Sequence, residues 1–231
     1  MQNHMRRRAV LAYLFFSAAA PAFAQPPLLD SLTQRDASRG IRDALGLAAM
    51  NATTRLGQPN GFWGEGRVRI PLPGLLGQTQ RGLRPLGLAG PLDALQENLN
   101  HAAEATMPEA SRLFLNAVRD ITIADAIDIV SGPEDSATRY LRGRSEARLT
   151  SLLRPPMIRA LTDSGAFSLM RTALREVGLA SMSGDLRSEI ADFATIKALD
   201  GCFFFIAEEE RAIRRDPVRR TTDILRQVFG S

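Results

Sequence analysis

Residues Asn98 to Tyr140 read NLNHAAEATMPEASRLFLNAVRDITIADAIDIVSGPEDSATRY. Apolar side chains recur through this stretch at the period of a helix rather than a strand. From Pro91 onward, Leu92, Leu95, Leu99, Ala102, Ala103 and Thr106 gather on one line of a helical wheel. Beyond a break at Pro108, Ala110, Leu113, Phe114, Ala117, Val118 and Ile121 repeat the stripe. Pro91 suits the first helical position, where a missing N–H costs nothing. Thr122 and Asp125 form a capping box with Asp in place of Glu, opening a helix that carries Ile123, Ile127 and Val130. Gly132 is the expected stop, and Pro133 starts the next segment.

The same period extends to both sides. Upstream, Ile41, Leu45, Ala48, Ala49, Thr53 and Leu56 make one apolar face behind a cap at Asp36 or Ser38, and Gly57 ends it. Residues 58–73 interrupt the pattern: Asn60-Gly61 suits a tight turn, and Arg67 to Pro73 alternates polar and apolar. A short extended arm or hairpin is expected there. Pro71 and Pro73 exclude a central strand. Gly74 to Gly90 predicts a short helix with loops. Downstream, Ser136 to Arg142 and Ser145 to Leu153 predict helix, Arg154-Pro155-Pro156 a break, and Met157 to Leu161 a continuation. Phe167 to Val177 follows, then a Gly- and Ser-rich loop over 178–185. Leu186 to Arg214 is the longest candidate, with Ile190, Phe193, Ile196, Leu199, Phe203 and Ile206 marking its inner face. The turn Cys202 to Ile206 is apolar all round and is expected to be the most buried. Glu208 with Arg211 and Glu210 with Arg214 are ion-pair spacings on its expected solvent end. Asp216-Pro217 caps a last turn, and Ile224, Leu225, Val228 and Phe229 dock a final helix. The expectation is an all-α single domain, a helical bundle over residues 36–231.

The chain opens with a different chemistry. Arg6, Arg7 and Arg8 precede an apolar run from Ala9 to Ala20, and Ala22-Phe23-Ala24 is a small-x-small cleavage pattern. This predicts a secretory signal over residues 1–24, cut after Ala24, and an N-terminal linker over 25–35. The apolar run is shorter than the roughly 20 residues a membrane span needs, so no stable span is expected after cleavage. Periplasmic export is the resulting expectation. Removing the signal takes away three of 29 basic side chains and none of the 25 acidic ones, so the remainder is nearly neutral. No basic stripe is interleaved with aromatics, which argues against a nucleic-acid partner. Cys202 is the single cysteine and can form no intramolecular disulfide; its apolar neighbours predict a buried, inert thiol.

Familiar catalytic patterns are missing: no G-x-S-x-G, no H-E-x-x-H, no phosphate-binding loop and no dinucleotide fingerprint. After the signal only His101 remains as an imidazole, so no histidine-based metal site, cofactor or serine triad is expected. The polar residues left to carry a function are Asn100 and Glu104, four apart on one helix side, then Asp125, Thr138, Arg139 and Tyr140, and finally Glu208, Glu209 and Arg214. Local roles compete for several of them. Capping and the helix dipole account for Asp125, and Asp135 with Arg139 is an i,i+4 pair.

Asn100-His101-Ala102-Ala103-Glu104, Ile121-Thr122-Ile123-Ala124-Asp125-Ala126, Ala137-Thr138-Arg139-Tyr140, Ala198-Leu199-Asp200-Gly201 and Ala207-Glu208-Glu209 through Ile213-Arg214 with Pro217 resemble the bacterial domain of unknown function family 4197. The similarity spans roughly Gly40 to Gly230. That family shows Arg where this chain has His101, and favours Leu where it has Cys202. The resemblance implies an exported, mainly helical envelope protein and carries no activity with it. Three readings follow. The first is a non-enzymatic binding or envelope-associated module whose polar cluster recognises an unknown ligand or envelope protein. The second is a hydrolase using Glu104 and Asp125, with or without a divalent metal. In the third, the polar residues serve the architecture alone.

Overall fold

The computed structural model describes residues 33–120, 122–124, 126–179 and 186–230. The signal, most of the linker, Asp125 and residues 180–185 of the predicted loop lie outside the described residues. Nine α-helices are present among the described residues, and no strand: α1 Gln34–Leu56, α2 Gly74–Leu83, α3 Gly90–Ala105, α4 Met107–Asp120, α5 Ala126–Ser131, α6 Ser136–Asp163, α7 Ala166–Glu176, α8 Leu186–Arg215 and α9 Asp223–Phe229. The fold is all-α.

Helix α8 is the axis of the core. It packs along α1 and α6, while α4 closes against both of those and α3 joins α7 to α6. Cys202, Phe203, Phe205 and Ile206 are buried, while Phe204 of the same turn is only partly buried, so the turn is not buried all round. Ile196 is a correction: it is 46% exposed, because the buried side of α8 runs through the small residues Ala191, Ala194, Thr195 and Ala198 instead. Small side chains let neighbouring helices approach. Gly201 belongs to the same stripe, and a Cβ there would lie 2.8 Å from Cε1 of Phe62.

Helix α1 starts at Gln34 with Thr33 as its cap, not Asp36 or Ser38. The Thr33 hydroxyl accepts from the Asp36 N–H at 3.1 Å and donates to the Asp36 carboxylate at 2.6 Å. This is a threonine N-cap about one helical turn upstream of the expected position. Helix α5 likewise begins at Ala126, so Ile123 is buried from the preceding segment rather than from within the helix.

Helix α6 overrides the break expected at Pro155-Pro156 and runs through both prolines. Those prolines leave the carbonyls of Ser151 and Leu152 without helical donors. Both residues are exposed, so water can take the place of the lost bonds, while Leu153, Met157 and Leu161 bury the opposite face. Packing of that face outweighs the local propensity.

Residues 57–73 join α1 to α2 as turns followed by a stretch without regular structure, and no strand or hairpin is among the described residues, so the expected extended arm or hairpin is not confirmed. Phe62, Ile70 and Leu72 are nevertheless buried, and Asn60 adopts a left-handed φ of 64° in the tight turn. The alternation around Arg67 to Leu72 reflects a single strip laid over the core, with no second strand to pair it. Its backbone groups must therefore find side-chain partners.

Candidate functional site

Helix α3 supplies those partners. Gln96, Asn100 and Glu104 stand at successive i,i+4 positions and form a buried polar stripe beside the apolar one. The Asn100 amide completes both backbone groups of Ile70: Oδ1 accepts the Ile70 N–H at 2.8 Å, and Nδ2 donates to the Ile70 carbonyl at 2.8 Å. Gln96 donates to the same carbonyl at 3.1 Å. Asn100 thus does for a lone strip what a neighbouring strand would do.

Glu104 performs the parallel task one turn further on. Its Oε1 accepts the N–H groups of Phe62 and Trp63 at 3.0 and 3.1 Å, and its Oε2 accepts that of Asn60 at 3.2 Å. His101 Nδ1 lies 2.8 Å from the same Oε2. A carboxylate offers about four acceptor positions; here three accept main-chain N–H groups, and His101 faces the fourth.

The three glutamates Glu208, Glu209 and Glu210 point in three directions, since consecutive helix positions are about 100° apart. Glu208 accepts from Arg67 at 3.0 and 3.2 Å and ties down the 57–73 segment. Glu209 accepts from Asn51 of α1 at 3.2 Å and from Arg219 at 3.1 Å. Glu210 is the buried one, at 1% exposure. It accepts the N–H groups of Ala137 and Thr138 at 3.1 and 2.8 Å and the Thr138 hydroxyl at 2.6 Å, capping α6 from another helix. Arg214 reaches back to Glu210 at 2.9 and 3.0 Å. The same guanidinium donates to the carbonyls of Val130 and Ile129, which end α5, at 2.7 and 3.1 Å. Carboxylate at a helix start and guanidinium at a helix end each meet the favourable pole of the dipole. The Glu210–Arg214 pair therefore belongs to the interior and not to a solvent end. Glu208 pairs with Arg67, while Arg211 pairs with Asp135 at 2.8 Å.

The remaining candidates lie elsewhere. Arg139 is exposed and pairs with Asp135 at 3.0 Å. Tyr140 donates its hydroxyl to the Thr122 carbonyl at 2.5 Å. Asp125 is outside the described residues, so its expected partnership with Glu104 has no geometry here. The described polar residues do not meet at one point: Asn100, Glu104 and Glu208 hold the 57–73 segment, Thr138 and Arg214 hold the α5–α6 junction, and Glu209 ties α8 to α1 and the C-terminal turn. Sequence reasoning passed over Gln96, Glu65 and the role of Glu210. Glu210 carried a signal in its i,i+4 spacing to Arg214.

Two further groups bear on chemistry. Hydrogen bonding from the Arg67 guanidinium, aided by the charges of Arg67 and Arg55, holds the Glu65 carboxyl down to about 2. Burial pushes the Cys202 thiol up to about 12, so no thiolate forms near neutrality. Its Sγ contacts Met107 Sδ at 3.6 Å within the core. Among the described residues no group of three or more His, Cys, Asp or Glu side chains is placed to hold a metal ion. No described helix is long and apolar enough to cross a membrane.

One recess does carry open polar groups. Between α4 and α6 lies a cleft of about 480 Å³, floored by Leu113, Ala117, Leu149 and Leu152. Arg144 stands at its lip with its guanidinium 5.5 Å from the Tyr140 ring centre. Arg148 stands beside it, paired to Asp120 at 3.1 Å.

The chain belongs to the family described as protein of unknown function (DUF4197), whose model matches residues 31–230. No curated protein and no solved structure matches the chain.

Proposed function

We propose that this protein is an exported, non-enzymatic helical binding module: one domain behind a cleaved signal and a short linker, working in the periplasm and presenting the α4–α6 cleft to its ligand. The observation that carries the binding reading is the contrast in hydrogen bonding. Glu104 and Glu210 accept bonds from main chain and from neighbouring basic side chains, whereas Asn116 and Arg144 at the cleft form no hydrogen bond or ion pair among the described residues. A cleft of this volume lies in the range of small-molecule sites, roughly 300–1,000 Å³. The export reading rests on Arg6 to Ala24.

The hydrolase reading through Glu104 gains nothing from these contacts, because they commit that carboxylate to the main chain of residues 60–63. Two measurements test the proposal. N-terminal sequencing of protein recovered from the periplasm is expected to begin at Gln25; retention of the full leader in the cytoplasm would remove the export half. Two-dimensional NMR with a panel of small amphiphiles is expected to shift amides of Ala117, Tyr140 and Leu149. A panel that leaves all three unmoved would remove the binding half.

A further inference from the structure

We infer that the α4–α6 cleft selects an amphiphilic monoanion, an apolar chain or ring bearing one carboxylate or similar acidic head. This rests on the binding reading above and adds the class of ligand. Leu113, Ala117, Leu149 and Leu152 give the cleft an apolar wall, and Leu152 remains 44% exposed on it, an uncovered large apolar side chain. Among the described residues the charges lining the cleft are Arg144, Arg148 and Asp120. Asp120 takes one N–H of Arg148, so these three carry a net single positive charge, suited to one negative charge and not two. Arg144 keeps its N–H edge unengaged among the described residues, because its described contact is with the face of Tyr140. A planar guanidinium presented in this way matches a carboxylate fork. Tyr140 is fixed by its bond to the Thr122 carbonyl, which preorders the ring beneath Arg144. Asn116 adds an amide at the same rim.

The probes are decanoate, decanol and decyltrimethylammonium, titrated into the protein below their micelle concentrations by NMR and calorimetry. Decanoate is expected to bind with shifts at Ala117, Tyr140 and Leu149, decanol more weakly, and the cation not at all. Arg144→Met keeps an apolar stem on an exposed position and is expected to weaken decanoate by about tenfold while leaving decanol unchanged. Leu152→Asp, also exposed, is expected to abolish decanoate binding. Equal affinity for decanoate and decanol, or an Arg144→Met protein that binds decanoate as before, would overturn the charge selection while the cleft reading stood. Decanoate shifts that map away from α4 and α6 would also overturn it. If no probe moved the cleft, both readings would fall together. Sedimentation with phosphatidylglycerol vesicles in place of decanoate binding would instead assign the arginines to a lipid surface and reject the enclosed ligand.

Discussion

Glu104 and Glu210 are both buried carboxylates that cap backbone belonging to a distant segment, yet their partners differ. Glu104 receives three N–H groups from a turn that is partly open to solvent, together with a half-exposed histidine. Glu210 receives the first N–H groups of α6 and a guanidinium that is itself only 10% exposed. The difference separates two kinds of brace. If Glu104 is lost, its donors can turn to water by local loosening of 57–63. If Glu210 is lost, Arg214 keeps its bonds to the Val130 and Ile129 carbonyls but is left in the interior without its countercharge. Depth and the charge of the partner, not the number of hydrogen bonds, set the expected cost.

The comparison can be broken by substitution. Glu210→Ala is expected to cost the most, about 3–5 kcal/mol by urea denaturation, the usual penalty for stranding one member of a buried pair. Glu104→Ala is expected to cost less, about 2–3 kcal/mol, with limited proteolysis entering first between residues 57 and 73. A reversed order would show that the turn at 60–63 is more deeply coupled to the core than its exposure indicates.

The smallest effect belongs to the outer edge of the same brace. Glu65 is depressed in the folded state, so its contribution is present above the ordinary carboxylate range and is lost as pH falls from about 4.5 through about 2. Glu65→Gln is expected to flatten that part of the acid-unfolding curve and to lower stability at neutral pH by the same amount, a small one for a pair this open to solvent. An unaltered acid limb would mean that Arg67 is held by Glu208 alone.

Much of the helical fold was legible because burial imposes its period on the sequence. The stripes Leu92 to Ala103 and Ile41 to Leu56 are buried as their spacing requires. The failures have a common cause, tertiary packing acting on ambiguous local signals. Pro155 and Pro156 read as a break because sequence cannot show that Ser151 and Leu152, whose carbonyls lose their helical donors, are exposed. Arg67 to Pro73 read as an extended arm or hairpin because an alternating strip on a core has the same pattern as an edge strand. The polar residues were found one by one, but their purpose was not legible. Asn100 and Glu104 have no local explanation because their partners are 30 and more residues away, on the main chain of a segment with no strand to pair it. Main-chain partners leave no trace in side-chain identity. Of the residues lining the α4–α6 cleft, Tyr140 alone stood among the polar candidates in the sequence, while Leu113 and Ala117 read as ordinary members of a helical stripe.

The central claim is that Asn100 and Glu104 brace the 57–73 segment and do not act on a ligand. Amide hydrogen exchange of Glu104→Gln tests it most directly. The substitution keeps the shape of the side chain but trades an acceptor for a donor facing N–H groups. The brace predicts that the amides of Asn60, Phe62 and Trp63 lose protection while those of α8 around Cys202 keep theirs, and that ligand shifts at the α4–α6 cleft are unchanged. Full protection at Phe62 and Trp63, together with loss of those ligand shifts, would contradict the account and return Glu104 to a functional site.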